Sequence, residues 1–358
     1  MVKKTERKTY LDILRILALF LVIFHHTMGM ELYKFTKGVD RWLYMVISVF
    51  TIINVPMFFM ISGATLLEKT ESWKDLFTKR ISRFLIAIFI FVFAFIVFEN
   101  RINGIDDMSM LDCIFDIFAK NVAGLYSYWY IYSYLGLLVL LPFFRRIAKD
   151  FTKSDFWIIF ILHFAFCSLI PIVNVYLQKY EIRSFVVSGN FQIPIITINT
   201  FFYPLVGYYV EHKVDIRSFS KKKIFGLIVL SGIGIIVSAY FMRYYGVPQN
   251  SFSVYLRLFE SVTTVAVYIL VKYFCVVVSP NLFKNKVSKV IAFVSALTFG
   301  MYLIDPFLKI SIEGKYKAFV GTNLTVLQCS LLWCCISMLI GGVITYILKK
   351  VIVFRKIL

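Results

Sequence analysis

The chain has 358 residues, of which 60% are hydrophobic and only 16% charged, with a formal charge of +19. Soluble globular domains carry about 45–50% apolar residues, so this composition excludes one and points to a membrane protein. The positive charge would suit nucleic acid, but it falls in alternate loops between apolar runs, which excludes that partner and reads as a topology signal.

Apolar runs of about 20 residues, each long enough to cross a hydrocarbon core about 30 Å thick, recur from one end of the sequence to the other. Ten spans are expected, at about 11–30, 42–67, 84–98, 125–144, 156–177, 193–210, 224–242, 254–278, 290–308 and 325–348. Lipid cannot satisfy free backbone groups, so each span should be a helix and the fold an all-α polytopic bundle. No long linker or low-complexity run interrupts residues 1–358, which are expected to form a single membrane domain. No internal repeat of the secondary-transporter kind is visible.

With the N-terminus in the cytoplasm, the inside segments hold Lys3, Lys4, Arg7 and Lys8, then Lys69, Lys74, Lys79, Arg80 and Arg83. Further along they hold Arg145, Arg146, Lys149 and Lys153, then Lys213, Arg217 and Lys221–Lys223. The last inside segments hold Lys272, Lys284, Lys286, Lys289, Lys349, Lys350, Arg355 and Lys356. The outside loop Glu99–Gly124 is acidic instead, with Asp106, Asp107, Asp112 and Asp116. Both termini are therefore expected in the cytoplasm. Basic inner loops also suit anionic lipid or an anionic cofactor.

The first span contains Asp12, Arg15 and His26, groups that are costly at membrane depth and normally face a bundle interior or aqueous cavity. Arg15 and His26 are eleven residues apart, which returns to within about 20° of one helix face and separates them by about 16 Å. Asp12 and Arg15, three apart, can pair on one face. A histidine with an ordinary pKa near 6.5 can take and return protons at neutral pH, so His26 is a candidate catalytic residue. His25 points about 100° away and is read as a bystander. The acid and base within the apolar run, with no small-residue cleavage site after it, argue against a cleaved signal peptide.

In the second span, Asn54-Val-Pro-Met-Phe-Phe-Met-Ile-Ser-Gly63 predicts a kink at Pro56, a close helix approach at Gly63 and interhelical polar contacts from Asn54 and Ser62. Arg80 and Arg83, opening the third span, share a helix side and could clamp phosphates; ordinary inner-face charge is the competing reading. The aromatic run Tyr126–Tyr134 suits either an interfacial belt or a platform for a sugar, with Trp129 and Tyr130 singled out. Arg257 and Glu260 are three apart and suggest an intramembrane pair; Asp305 is a lone carboxylate before Pro306; either could orient His26 or the acceptor, with structural pairing as the competing reading. The six cysteines show no metal-ligand spacing, and no metal is expected.

Several of these segments together resemble the acyltransferase family 3 membrane proteins. They are Tyr10-Leu-Asp-Ile-Leu-Arg15 with His26 eleven residues on, Val55–Gly63, Lys79-Arg-Ile-Ser-Arg83, Trp129-Tyr-Ile-Tyr132, Phe202–Tyr209 and Ser295–Ile304, in that order. The resemblance implies a ten-helix O-acyltransferase of bacterial surface polysaccharides in the cytoplasmic membrane, using acetyl-CoA as donor substrate and no permanently bound cofactor. It puts the signature arginine on Arg15 and the signature histidine on His26. Many members carry a histidine where this chain has Asp305, a departure that weakens the resemblance's support for a role at this position and would suit a subfamily with a different acceptor. Members that modify peptidoglycan often add a soluble esterase-like domain, and its absence from this sequence is expected to favour capsule, exopolysaccharide or lipid-linked glycan as acceptor.

The reading that follows has His26 and Arg15 catalytic, with Arg15, Arg80 and Arg83 contacting acyl-CoA. Trp129, Tyr130 and Asp305 would meet the acceptor, supported by Asp12, Asn54 and Ser62. Whether His26 is a general base or a transient acyl carrier is left open at this level. A polysaccharide or lipid-linked sugar exporter is the alternative, and it would have no reason to bind acetyl-CoA.

Overall fold

The computed structural model describes residues 7–27, 38–105, 109–119, 125–182, 185–188, 193–245, 255–283, 286–320 and 324–358. Lys3, Lys4, Asp106, Asp107 and Lys284, which contribute to the orientation argument, lie outside these residues, as do 28–30 of the first expected span. Helix is the only regular structure among the described residues.

The helices that matter below are α1 (Thr9–His26), α2 (Gly38–Thr51), α3 (Asn54–Leu66), α4 (Trp73–Ile102), α5 (Leu125–Lys149) and α6 (Lys153–Lys179). They continue as α7 (Asn199–His212), α8 (Lys221–Tyr245), α9 (Glu260–Val278), α10 (Lys286–Ser295), α11 (Thr298–Tyr316) and α12 (Val326–Leu348). Eight segments among the described residues are long and apolar enough to cross a membrane, or nine if α10 and α11, bent by 49°, form one broken span. This is near the ten expected. The shortfall lies at 193–210, where α7 has only 14 residues, about 21 Å at 1.5 Å per residue. The extended backbone of Ile198 separates it from a four-residue helix, Pro194–Thr197. Every residue from Phe202 to Glu211 is buried, so the run is apolar because protein surrounds it. Apolar periodicity cannot separate such a core helix from a membrane-facing one.

The chain forms two compact units, interleaved in sequence. The first comprises residues 1–25, 29–69 and 143–295. Its tightest junction is α3 against α7, where two glycines let backbone meet backbone. A Cβ on Gly63 would fall 1.9 Å from the Pro204 carbonyl oxygen, and one on Gly207 would fall 2.0 Å from that of Met60. Small residues at such crossings are how membrane helices gain packing when lipid is as apolar as their neighbours. The close approach read from Gly63 is present. The expected kink is displaced: the break between α2 and α3 is at Ile52–Ile53, and Pro56 sits in the first turn of α3. A proline is tolerated there because first-turn N–H groups have no intrahelical acceptor.

The second unit comprises residues 26–28, 70–142 and 296–358. Here α11 and α12 pack through small residues: a Cβ on Gly300 would meet Thr345 at 2.3 Å, and Gly342 faces Met301. That proximity brings the interior faces of the two helices together around Asp305 and Ser337. Helix α4 carries π-helical turns at Phe77–Ile81 and Ile88–Val92. Such single-turn insertions rotate the following residues relative to a regular helix.

Candidate active site

Asp305 is the hub of the second unit's polar interior. It is only 2% exposed, in a helix whose flanking residues 300–306 are all buried. A buried carboxylate needs strong donors or it is heavily destabilised. It has two: His26 Nδ1 lies 3.0 Å from Oδ2, and the Ser337 hydroxyl donates to Oδ1 at 2.8 Å. His26 keeps 17% of its side chain accessible, so its ring is held on one side and reachable on the other.

This arrangement has a definite chemical capacity. An ionised carboxylate can only accept, so with one at this position the hydrogen on the 3.0 Å contact would be that of Nδ1. Nε2 then carries the free lone pair. The carboxylate also stabilises the imidazolium that forms when Nε2 takes a proton.

The surrounding wall is aromatic. The Tyr128 hydroxyl donates to the Leu303 carbonyl at 2.7 Å, and Tyr302 donates to the Ser127 carbonyl. Tyr128 and Tyr302 pack edge-to-face at 6.2 Å, and Tyr130 meets Tyr302 at 6.0 Å. Tyr130 therefore joins this wall as a ring neighbour. Trp129 is 45% exposed and points away from it, as a residue one helical step from the buried Tyr128 must.

A separate polar cluster occupies the basic end of α1, within the first unit. Asp12 is buried and accepts from Arg7 Nε at 2.6 Å, Arg7 Nη2 at 3.0 Å, Arg15 Nη1 at 2.8 Å and the Ser295 hydroxyl at 2.8 Å. The expected Asp12–Arg15 pair is thus present, within a larger network. Hydrogen bonding to Asp12 holds the Arg7 guanidinium above its already high ordinary pKa. Arg15 uses one nitrogen for Asp12 and remains about a third exposed, so part of its fork is available to an anion. Nearby in the same unit, Glu211 accepts from Lys8 at 2.7 Å, Tyr10 and Tyr268 at 2.8 Å, with Lys272 3.2 Å away.

Other expected residues are placed elsewhere. Asn54 Oδ1 accepts from the Val55 N–H and the Ser62 hydroxyl donates to the Phe58 carbonyl, so both bond within their own helix rather than between helices. A short polar side chain next to an exposed turn carbonyl finds that local partner first. Arg80 makes a bidentate pair with Glu71, at 2.9 and 2.6 Å. Arg83 donates to the Ile357 and Leu358 carbonyls at 2.6 and 3.0 Å and lies over the Phe299 ring. Arg257 is exposed while Glu260 is buried, and no ion pair joins their side chains among the described residues. Ser337, Tyr128 and Tyr302 were missed from sequence. Ser337 is one of several hydroxyls in an apolar span, with nothing to set it apart from Ser330 and Thr345, whereas Tyr128 had a signal in the aromatic run that its neighbours obscured.

A protein-family model described as an acyltransferase domain matches residues 8–347, nearly the whole chain. No curated protein and no solved structure matches.

Proposed function

The chain belongs to the acyltransferase 3 family, and from that membership we propose that it moves an acetyl or related acyl group from acyl-CoA to a glycan hydroxyl. The acceptor is a bacterial cell-surface polysaccharide or its lipid-linked precursor, modified at the cytoplasmic membrane. The single observation that supports this reading best is the His26–Asp305–Ser337 chain of contacts, which engages His26 through Nδ1.

In the proposed step, Nε2 of His26 takes the acceptor hydroxyl proton while the oxygen attacks the thioester carbonyl. The tetrahedral intermediate collapses, the C–S bond breaks, and the departing CoA thiolate recovers the proton from His26. Asp305 touches neither substrate; it is a positioning residue that fixes the His26 ring and offsets its transient charge. Tyr130, partly accessible and backed by the buried Tyr302, offers an aromatic face for a sugar ring. Apolar surroundings keep water from hydrolysing the thioester.

Arg15 is the proposed contact for the donor's anionic groups, because part of its guanidinium is uncommitted. Arg80 and Arg83 could share that role only by exchanging Glu71 or main-chain carbonyls for phosphate. An exporter would need neither a free histidine nitrogen nor acyl-CoA. The test is NMR of surface glycan from a host strain with and without the protein. O-acyl signals lost on deletion and restored by the gene support the proposal; unchanged signals, with glycan retained inside the cell, would favour export.

A further inference from the structure

We propose that the first unit carries a lipid site: a groove at the turn between α5 and α6 that holds an aminophospholipid, phosphate at the mouth and acyl chain in the depth. The groove, open on one side, has a volume of about 380 Å³, within the range of small-molecule pockets. Its mouth is formed by Arg146, Asp150 and Asp155, and its depth by Phe151, Ile159 and Phe201, closed by the buried Leu205.

The mouth sits where two predicted spans end, on the side expected to face the cytoplasm from the basic residues of the same turn. Lipid phosphates lie at that level and acyl chains run inward from it. Arg146, in the last turn of α5, and Asp150, in the turn that follows, both line the groove. Both are exposed, and no ion pair engages either among the described residues. Arg146 lies against the Phe143 ring with its guanidinium 6.0 Å from the ring centre, an apolar stem with a charged head in the manner of interfacial arginines. Asp155 spends one oxygen on the Thr152 N–H and hydroxyl and keeps the other.

Charge complementarity selects the occupant. One guanidinium beside two carboxylates disfavours a purely anionic head group, including the phosphates of a CoA thioester. A choline head group has no N–H to give Asp150. A head group with both a phosphate and a primary ammonium matches the mouth: phosphate to Arg146, ammonium to Asp150 and the free oxygen of Asp155.

Native mass spectrometry of the purified full chain, equilibrated with mixed vesicles of phosphatidylethanolamine, phosphatidylglycerol and phosphatidylcholine, tests this. The expected result is about tenfold preferential retention of phosphatidylethanolamine, equivalent to ~1.4 kcal/mol. Asp150→Asn should remove the preference over phosphatidylcholine, and Arg146→Gln should lower retention of both. Ile159→Trp, which narrows the depth without touching the mouth, should lower retention of all three lipids. Equal retention of the three lipids by the parent, or undiminished phosphatidylethanolamine on Arg146→Gln and Ile159→Trp, would overturn the proposal.

Discussion

His26 and Asp305 are 279 positions apart in sequence and meet at 3.0 Å, imidazole Nδ1 to carboxylate Oδ2. One residue closes the first membrane helix and the other lies in the turn before a proline far downstream. Their contact joins two otherwise isolated polar residues and is the one that the proposed general-base role of His26 requires.

Replacing His26 with alanine should abolish acyl transfer, lowering the rate by about 10²–10⁴-fold, the usual span for loss of a general base. The variant should still reach the membrane in parental amount, measured by membrane-fraction immunoblot. His25→Ala should retain most activity, because His25 is not the residue joined to Asp305.

Ser337→Ala removes the donor to Asp305 Oδ1 but leaves His26 in place. A net hydrogen bond contributes about 1 kcal/mol, so kcat should fall about fivefold with donor KM unchanged. Ser337→Thr retains a hydroxyl and should recover part of the loss. A change confined to donor KM would show that Ser337 acts elsewhere than through Asp305.

Much of this site was legible in sequence, and the illegible parts have physical reasons. Asp12, Arg15 and His26 stood out because charge in an apolar run is costly and therefore informative. Asp305 stood out on the same ground, as a group that could orient either His26 or the acceptor, but a 279-residue separation leaves no periodic trace to choose between them. The bundle class was readable from hydropathy, whereas α7 was not recognisable as a short buried helix, because protein and lipid demand the same apolar side chains. Arg80 and Arg83 illustrate a different limit: their spacing shows a shared face, but Glu71 and the Ile357 and Leu358 carbonyls, which occupy them, come from other segments.

Arg83→Ala should lower thermal stability in detergent more than it raises donor KM, because its bonds go to main-chain carbonyls. Arg15→Lys should do the reverse, weakening acyl-CoA binding as the planar fork is lost, with little change in melting temperature. Isothermal titration with acyl-CoA beside a thermal melt separates the two; equal donor affinity in Arg15→Lys and the parent would remove Arg15 from the donor site.

Gly63→Ala and Gly207→Ala should each destabilise the protein by about 3 kcal/mol, since the added methyl would meet a backbone carbonyl at about 2 Å. Gly226→Ala is the control, as its Cβ direction is open. Denaturation midpoints of the three purified variants decide the matter.

The measurement that bears hardest on the His26–Asp305 account is the steady-state rate of Asp305→Asn with acyl-CoA and acceptor glycan. Asparagine keeps the size of the side chain but can donate to Nδ1, which places the proton on Nε2 and removes the free lone pair. The account predicts that kcat falls about 10²–10⁴-fold while donor KM and folding stay near the parent. A variant with parental kcat would contradict it, because His26 would then act without the partner that the fold provides.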